Sequence, residues 1–227
     1  MLVRREMEFL GPRKDSPNRP FVLVMGGAKV SDKIALIENF LSKVDTVLIG
    51  GAMAYAFLKA SGKSIGKSLC DEKQVELAFR VIKTADARKV RLGLPVDHVI
   101  AKSIDETSPQ VTDGPDIKDP WMGFDIGPKT LEKYAQLLKS AETVFWNGPM
   151  GVYEKKPFAK GTLELAKIIA ETRGRKIAGG GDVVAALASS GCDTKFDFVS
   201  TGGGATLEYL EGKELPGLKA LEVSIPG

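Results

Sequence analysis

The sequence predicts an α/β fold: a doubly wound, mainly parallel sheet of six strands, with helices on both faces in three layers. Two observations favour this fold. The β-rich runs are short and continuously apolar, which is typical of strands buried on both faces of a parallel sheet. Segments with helical periodicity lie between these runs, as expected because parallel neighbours need helical crossovers. The predicted architecture is therefore Rossmann-like.

The six predicted strands are residues 21–25, 46–49, 90–94, 143–146, 176–178 and 198–200, and a further apolar run at 96–100 continues the third. That run contains His98, the single histidine of the chain. A lone histidine in an apolar strand is more often structural than catalytic, and we interpret His98 in that way.

The first two predicted helices are residues 31–44, with Ser31 as the N-cap, and residues 71–88. The second begins with Asp71 and Gln74, a variant of the capping box in which a side chain satisfies a free backbone amide. Its predicted buried residues are Val75, Phe79 and Ile82.

Two further helices are predicted at residues 129–139, after Pro128 at the first helical position, and at 162–172, before Gly174. The segment 105–127 is rich in Pro, Gly and Asp and forms the longest irregular stretch. We interpret it as a functional loop and not as a linker, so residues 1–227 are predicted to form one domain.

Composition excludes several classes of protein. The formal net charge of the 227 residues is only +3, too small to indicate a nucleic-acid binder. The two cysteines, Cys70 and Cys192, lack the spacing of a zinc site or a disulfide framework, which favours a reducing, cytoplasmic location. Since no apolar run approaches 18 residues, we expect no membrane partner.

Many of the 25 glycines follow predicted strands. They are Gly26, Gly27, Gly50, Gly51, Gly148, Gly151, Gly179, Gly180, Gly181, Gly202, Gly203 and Gly204. Open α/β sheets bind ligands at the carboxyl ends of their strands, and a glycine-flanked helix start offers free amides to phosphate. The alternative is that these glycines only form turns. Turn formation would explain one such cluster, but it does not explain clusters after five different strands.

Two common phosphate-binding motifs are absent, and their absence argues against two classes of phosphate-containing ligand site. No G-x-G-x-x-G is present, so a dinucleotide-dependent oxidoreductase loses its main support. GKSIGKS at 62–68 has three residues between its glycines where a Walker A loop needs four, and it follows a helix.

Lys29 and Lys33 lie beside Gly26 and Gly27, where they could reach a polyphosphate or simply be surface lysines. Asp182 could hold Mg²⁺ between itself and phosphate, cap the next helix, or do both.

Eight motifs together resemble the carboxyl-terminal half of phosphoglycerate kinase. They are GGAKVSDKI (26–34), IGGAMAYAFL (49–58), GKSLCDE (66–72), LPVDHVIA (94–101), MGFDIGPKT (122–130), WNGPMGVYE (146–154), GGGD (179–182) and STGGGATLEYLEGKELPG (200–217). Nothing in the chain resembles the amino-terminal half of the family, which holds phosphoglycerate with Arg and His residues. The resemblance implies an enzyme that moves a phosphoryl group between 1,3-bisphosphoglycerate and MgADP, and a chain that carries its MgADP/MgATP domain alone.

The resemblance also implies residue roles. Lys29 would contact the transferring phosphoryl group together with the amides of Gly202, Gly203 and Gly204, and Asp182 would hold Mg²⁺. The implied nucleotide-binding residues are Lys33, Gly50, Gly51, Leu69, Gly127, Asn147, Pro149, Gly151, Val152, Glu154, Gly180, Gly181 and Val183. Of these, Gly50, Gly51, Leu69, Gly127 and Val152 would form the adenine slot, Asn147 and Pro149 would lie at its phosphate side, and Glu154 would accept from the ribose hydroxyls.

One departure and one alternative accompany the resemblance. Val183 stands where the family usually has Thr or Ser, so a side-chain donor to phosphate is lost and weaker nucleotide binding is expected. We expect a monomer that is inactive without the phosphoglycerate-binding half, because proximity supplies much of the barrier reduction. The alternative is a self-standing nucleotide-binding module without turnover.

Overall fold

The computed structural model of the protein describes residues 18–200. Its strands are β1 (Phe21–Met25), β2 (Thr46–Ile49), β3 (Arg91–Gly93), β4 (His98–Ala101), β5 (Gln110–Val111), β6 (Met122–Ile126), β7 (Thr143–Asn147), β8 (Arg175–Gly179) and β9 (Phe198–Ser200). Its α-helices are α1 (Ile34–Phe40), α2 (Ala54–Ala60), α3 (Glu72–Ala87), α4 (Pro128–Leu138), α5 (Lys160–Ala170) and α6 (Gly181–Ser190). Short 3₁₀ turns lie at Val30–Asp32, Lys156–Phe158 and Asp193–Lys195.

The main sheet has six strands in the order β3-β2-β1-β7-β8-β9, and all of its strand pairs are parallel. The chain builds β1, β2 and β3 outward in one direction and then returns to place β7 on the other side of β1. Strand order therefore reverses between β1 and β7. In open α/β sheets this reversal opens a crevice at the carboxyl ends of the strands.

Both faces of the main sheet are covered, which confirms the predicted doubly wound fold. On β1, Phe21, Leu23 and Met25 join the apolar core beneath α1, α2 and α3. Val22 and Val24 point to the opposite face and join the core beneath α4, α5 and α6. Burial of successive β1 residues on both faces explains why the strand is continuously apolar.

A second sheet of three antiparallel strands, in the order β5-β4-β6, corrects two expectations. The run expected to continue the third strand forms β4, which leaves the main sheet. The segment 105–127, expected to be irregular, supplies β5 and β6. His98 on β4 is buried, its backbone N–H donates to the Thr112 hydroxyl, and its Nε2 lies 3.1 Å from the carbonyl oxygen of Pro115. That environment agrees with a structural role for the histidine.

The predicted cap of the first helix is wrong. Residues 31–44 contain a 3₁₀ turn, Val30–Asp32, and the shorter helix α1. Ser31 caps neither element, because its hydroxyl donates to the carboxylate of Asp32 at 3.1 Å. Lys33 lies between the two elements, where its N–H donates to the Val30 carbonyl and its own carbonyl accepts from the Ile37 N–H, both at 2.9 Å.

Helix α3 confirms its predicted cap and corrects its predicted buried face. The Asp71 carboxylate accepts from the backbone N–H of Gln74 at 2.8 Å, and this bond, followed by one from the Gln74 side chain, lowers the pKa of Asp71. Phe79, however, is 50% exposed beneath the ammonium of Lys83, while Val75 and Ile82 are half-buried. The buried residues are the smaller Ala78, Val81 and Ala85.

The remaining helices lie close to their predicted positions. Pro128 is the first residue of α4, as expected, and α5 begins and ends two residues before the predicted range. Helix α2 follows Gly51 and was not predicted as a separate helix. Within residues 18–200, no helix has the length and apolar character that a bilayer crossing requires.

Candidate functional site

The glycine loops after β1, β2 and β7 pack directly against each other at the carboxyl edge of the main sheet. The Gly27 amide donates to the carbonyl of Pro149 at 3.0 Å, and the Gly51 amide donates to the carbonyl of Met150 at 2.9 Å. A Cβ on Gly26 would lie 2.1 Å from the Pro149 carbonyl oxygen, so no larger residue fits there. Part of the glycine excess is therefore explained by contact between neighbouring backbones.

The loop after β8 is different, because it opens toward solvent. Gly180 precedes α6 with a φ of 98°, a backbone conformation that favours glycine. A Cβ on Gly181 would meet no atom within 4 Å. The first amides of an α-helix have no intrahelical partner, so this end of α6 offers N–H groups and a partial positive charge to an anion.

Two hydrogen bonds connect Lys33, which follows β1, to the glycine loop after β8. Lys33 donates from Nζ to the Asn147 Oδ1, and Asn147 donates from Nδ2 to the carbonyl of Gly179 at 2.7 Å. Asn147 is fully buried at the end of β7, whereas Lys33 is half-buried. These hydrogen bonds hold the ammonium group of Lys33 and the side-chain amide of Asn147 at the point where strand order reverses.

Lys29 and Asp182 are both exposed. Lys29 precedes the turn Val30–Asp32, and Asp182 lies in the first turn of α6. Gly180 is the N-cap of α6, so Asp182 does not occupy the capping position that the sequence left open as its alternative role.

The residues expected to form the adenine slot come from four loops. Gly50, Gly51 and Gly127 are buried, Val152 is half-buried, and Leu69 is 77% exposed. Leu69 is the most exposed of the large apolar side chains among the described residues. Its neighbour Ser68 is buried and accepts from the Gly123 amide at 2.9 Å, which holds the Leu69 loop against β6.

Tyr153, between Val152 and Glu154, is half-buried. Burial raises the pKa of Tyr153, and the carboxylates of Asp182 and Glu154 raise it further. Pro149 and Gly151, in the loop after β7, are half-buried, whereas Gly202, Gly203 and Gly204 lie outside the described residues.

Comparison with known proteins identifies the family. The family model described as phosphoglycerate kinase matches residues 1–213 of this chain. The chain belongs to the phosphoglycerate kinase family. Its resemblance to that family in sequence is thereby confirmed.

Two relatives show how much of a phosphoglycerate kinase the chain represents. The enzyme of Anaeromyxobacter dehalogenans (strain 2CP-C) is 52% identical over 222 residues, which are 97% of this chain and 56% of that relative. The enzyme of Clostridium botulinum (strain Langeland) is 52% identical over 221 residues, with the same two coverages. The chain thus spans about half the length of the curated relatives it matches.

Solved phosphoglycerate kinase structures share the fold. The structure from Coxiella burnetii superposes with a TM-score of 0.89 at 42% identity, over 97% of this chain and 57% of that one. The structure from Pyrococcus horikoshii OT3 superposes with a TM-score of 0.81 at 31% identity, over 98% of this chain and 55% of that one.

Sequence reasoning missed two buried aspartates, Asp97 and Asp125, that contact the segments carrying residues expected to form the slot. Asp97 accepts from the backbone amides of Lys129 and Thr130, at 2.9 and 2.7 Å, and from the Thr130 hydroxyl at 2.6 Å. These bonds cap α4 from outside, directly after Gly127. Asp125 on β6 accepts from the Gly161 and Ile126 amides. A carboxylate inside an apolar run, as in LPVD and GFDIG, was the signal available in the sequence.

Val183 is placed where its side chain faces the core. It is fully buried in the apolar cluster beneath α4, α5 and α6. The side chain is therefore part of the packing of α6 on the sheet, while its backbone remains in the first turn of the helix.

Proposed function

We propose that this chain provides the nucleotide-binding part of a phosphoglycerate kinase and binds MgADP and MgATP at the carboxyl edge of the main sheet. The observation that carries the proposal is the meeting of Lys33, buried Asn147 and the open start of α6 at the reversal of strand order. Lysine charge and helix amides are what a polyphosphate requires. The buried backbone of Gly50, Gly51 and Gly127 and the exposed apolar side chain of Leu69 are what we propose for the slot that takes the planar base.

The reaction we propose is transfer of a phosphoryl group between 1,3-bisphosphoglycerate and ADP. An ADP oxygen forms the new bond to phosphorus as the acyl-phosphate bond breaks, which leaves the carboxylate of 3-phosphoglycerate and gives ATP. Such transfers need positioning and charge stabilisation and little covalent chemistry from the protein. Lys29 would hold the moving group, with the amides of Gly202, Gly203 and Gly204. A fixed donor of this kind is worth about 3 kcal/mol of barrier.

The residues fit a magnesium ion that arrives with the nucleotide. Mg²⁺ is commonly held by one or two carboxylates together with substrate phosphates. Asp182 is an exposed carboxylate beside the proposed phosphate site, and residues 18–200 contain no group of three or more His, Cys, Asp and Glu that could hold a metal alone. When bound, the ion would neutralise phosphate charge. Asp182 would orient it, since the start of α6 fixes its backbone.

Turnover would require a second, phosphoglycerate-binding part. The chain spans 56% of the length of its Anaeromyxobacter relative, and the rest of that relative has no counterpart in these 227 residues. We propose that the chain alone is inactive, because closure over both substrates supplies several kcal/mol of the barrier reduction. The competing function is a self-standing nucleotide-binding module. Mixing the chain with a separately produced remainder of a relative distinguishes them: recovered ATP formation supports the kinase part, and no recovery supports the module.

Calorimetric titration with MgADP tests the nucleotide site itself. We expect a single site in the full chain and a large loss of affinity in Lys33→Ala. Lys83→Ala is the matched control, since Lys83 lies on α3 over the Phe79 ring and none of the proposed site residues lies on that helix. Equal affinities of both variants would contradict the assignment of Lys33 to the phosphates.

A further inference from the structure

The segment between β7 and α5 carries Val152 and Glu154, and its conformation depends on β6. The Val152 amide donates to the carbonyl of Phe124 at 2.9 Å. The ring of Phe124 stacks on that of Phe158, with ring centroids 4.7 Å apart. Apart from the short turn Lys156–Phe158, the segment has no regular secondary structure, so its contacts with β6, together with the ion pair of Lys155 with Asp105, hold Val152 and Glu154 in place.

The side chain of Asp125 on β6 lies between the two ends of this segment. It is 2% exposed. Its Oδ2 accepts from the Gly161 amide at 2.6 Å, and its Oδ1 accepts from the Ile126 amide at 2.9 Å. A Cβ on Gly151 would lie 2.3 Å from Oδ1, and a Cβ on Gly161 would lie 2.2 Å from the same oxygen. Gly151 and Gly161, at the two ends of the segment, therefore both pack against the carboxyl group of Asp125.

We infer that Asp125 is a positioning residue for the nucleotide: its carboxyl fixes the segment from Gly151 to Gly161 so that Val152 and Glu154 face the base and ribose. This inference rests on the proposed function, because Val152 and Glu154 are assigned to the nucleotide there. Asp125 itself is buried and touches no ligand. It acts through the two glycines and through the Gly161 amide.

A purely structural role is the competing explanation. Gly161 is the second residue of α5, and a carboxyl oxygen that accepts there also stabilises the start of that helix. Capping alone, however, does not require Gly151, which lies ten residues earlier and belongs to the proposed site. Because Oδ1 of Asp125 lies against both Gly151 and Gly161, the group that caps α5 also positions the loop proposed to bind the nucleotide.

Asp125→Asn is the primary variant, because it keeps the shape of the side chain and replaces one oxygen with an NH₂ group. Whichever way the amide turns, a donor then faces either the Gly161 or the Ile126 amide, and one hydrogen bond is lost. We expect MgADP affinity to fall about tenfold, as for the loss of one buried hydrogen bond. Magnesium pyrophosphate, which reaches only the phosphate side, should bind the variant and the wild type equally.

Gly161→Ala supplies a second test on a residue outside the proposed site. Its methyl group would overlap the Asp125 carboxyl and displace it, whereas alanine is otherwise favoured over glycine in a helix. We expect the same selective loss of MgADP binding. Val81→Ala, which opens a cavity in the core beneath α3, is the control for a general loss of stability and should change neither ligand.

The experiment is calorimetry of the full chain and its three variants with both ligands, joined to amide hydrogen exchange. Selective loss of MgADP binding, with faster exchange at the Val152 and Gly161 amides of Asp125→Asn, supports the inference. Unchanged MgADP affinity in both Asp125→Asn and Gly161→Ala, or equal losses for both ligands, overturns it. A wild type that binds neither ligand overturns the proposed function instead. In that case unaltered exchange at Val152 would also refute the positioning by Asp125.

Discussion

The buried carboxyl group of Asp125 predicts an unusual dependence of stability on pH. Burial raises its pKa from 3.8 to about 8, and the amides of Gly161 and Ile126 offset only part of that increase. In the unfolded chain the group releases its proton near pH 4. Between pH 4 and 8, then, the native protein holds a proton that the unfolded protein has lost, so the free energy of unfolding falls as pH rises.

The size of the effect follows from the difference between the two pKa values. One unit corresponds to about 1.4 kcal/mol, so a difference of about four units gives a ceiling of about 6 kcal/mol across the window. That is comparable with the total stability of an ordinary domain, about 5–15 kcal/mol. Asp125→Asn removes the titration and keeps the shape. Its free energy of unfolding, relative to the wild type, should rise by about 1 kcal/mol per pH unit between pH 5 and 7.

Urea unfolding of both proteins at pH 5, 6, 7 and 8 measures this difference directly, and all other titrating groups cancel between them. Asp105→Asn, which removes an exposed carboxyl on the surface, is the matched control. A difference between Asp125→Asn and the wild type that stays constant over the four pH values, or that shrinks as pH rises, would refute the reasoning.

Three further substitutions test the proposed site. Asp182→Ala should weaken MgADP much more than metal-free ADP in calorimetry, and equal losses would refute its role toward the metal. Lys29→Ala, measured in an assembled enzyme that turns over, should lower kcat with little change in nucleotide KM; a loss confined to affinity would exclude contact with the moving phosphoryl group. Val183→Thr should lower the free energy of unfolding and leave MgADP affinity unchanged, because it places a hydroxyl among the buried apolar residues of the core. Unfolding in urea checks the first part, and tighter MgADP binding in calorimetry would contradict the second.

The sequence was sufficient to predict the main sheet because its strands are buried on both faces. Continuous apolar runs in β1, β2 and β7 could be recognised without knowing their neighbours, and the cap of α3 by Asp71 depends on local chemistry alone. The grouping of glycines at one edge followed from parallel strand order. The strand runs and the helix cap are determined by residues close together in the chain, and the grouping of the glycines needs only the parallel topology in addition.

The features that were wrong or missed depend on contacts between distant residues. Phe79 was expected to be buried because it is large and apolar, but α3 packs through Ala78, Val81 and Ala85, whose small side chains allow close approach. The second sheet could not be predicted because β5 has only two residues and pairs only through β4. Asp125 acts on Gly161, 36 residues away, and no local pattern reveals that contact.

The central claim is that this chain carries a nucleotide site of the phosphoglycerate kinase type, and titration of the full chain with MgADP tests it most directly. We expect one molecule of MgADP per chain, with affinity that falls when magnesium is chelated and falls further in Lys33→Ala. Absence of binding at millimolar MgADP, or binding that neither chelation nor Lys33→Ala alters, would contradict the account.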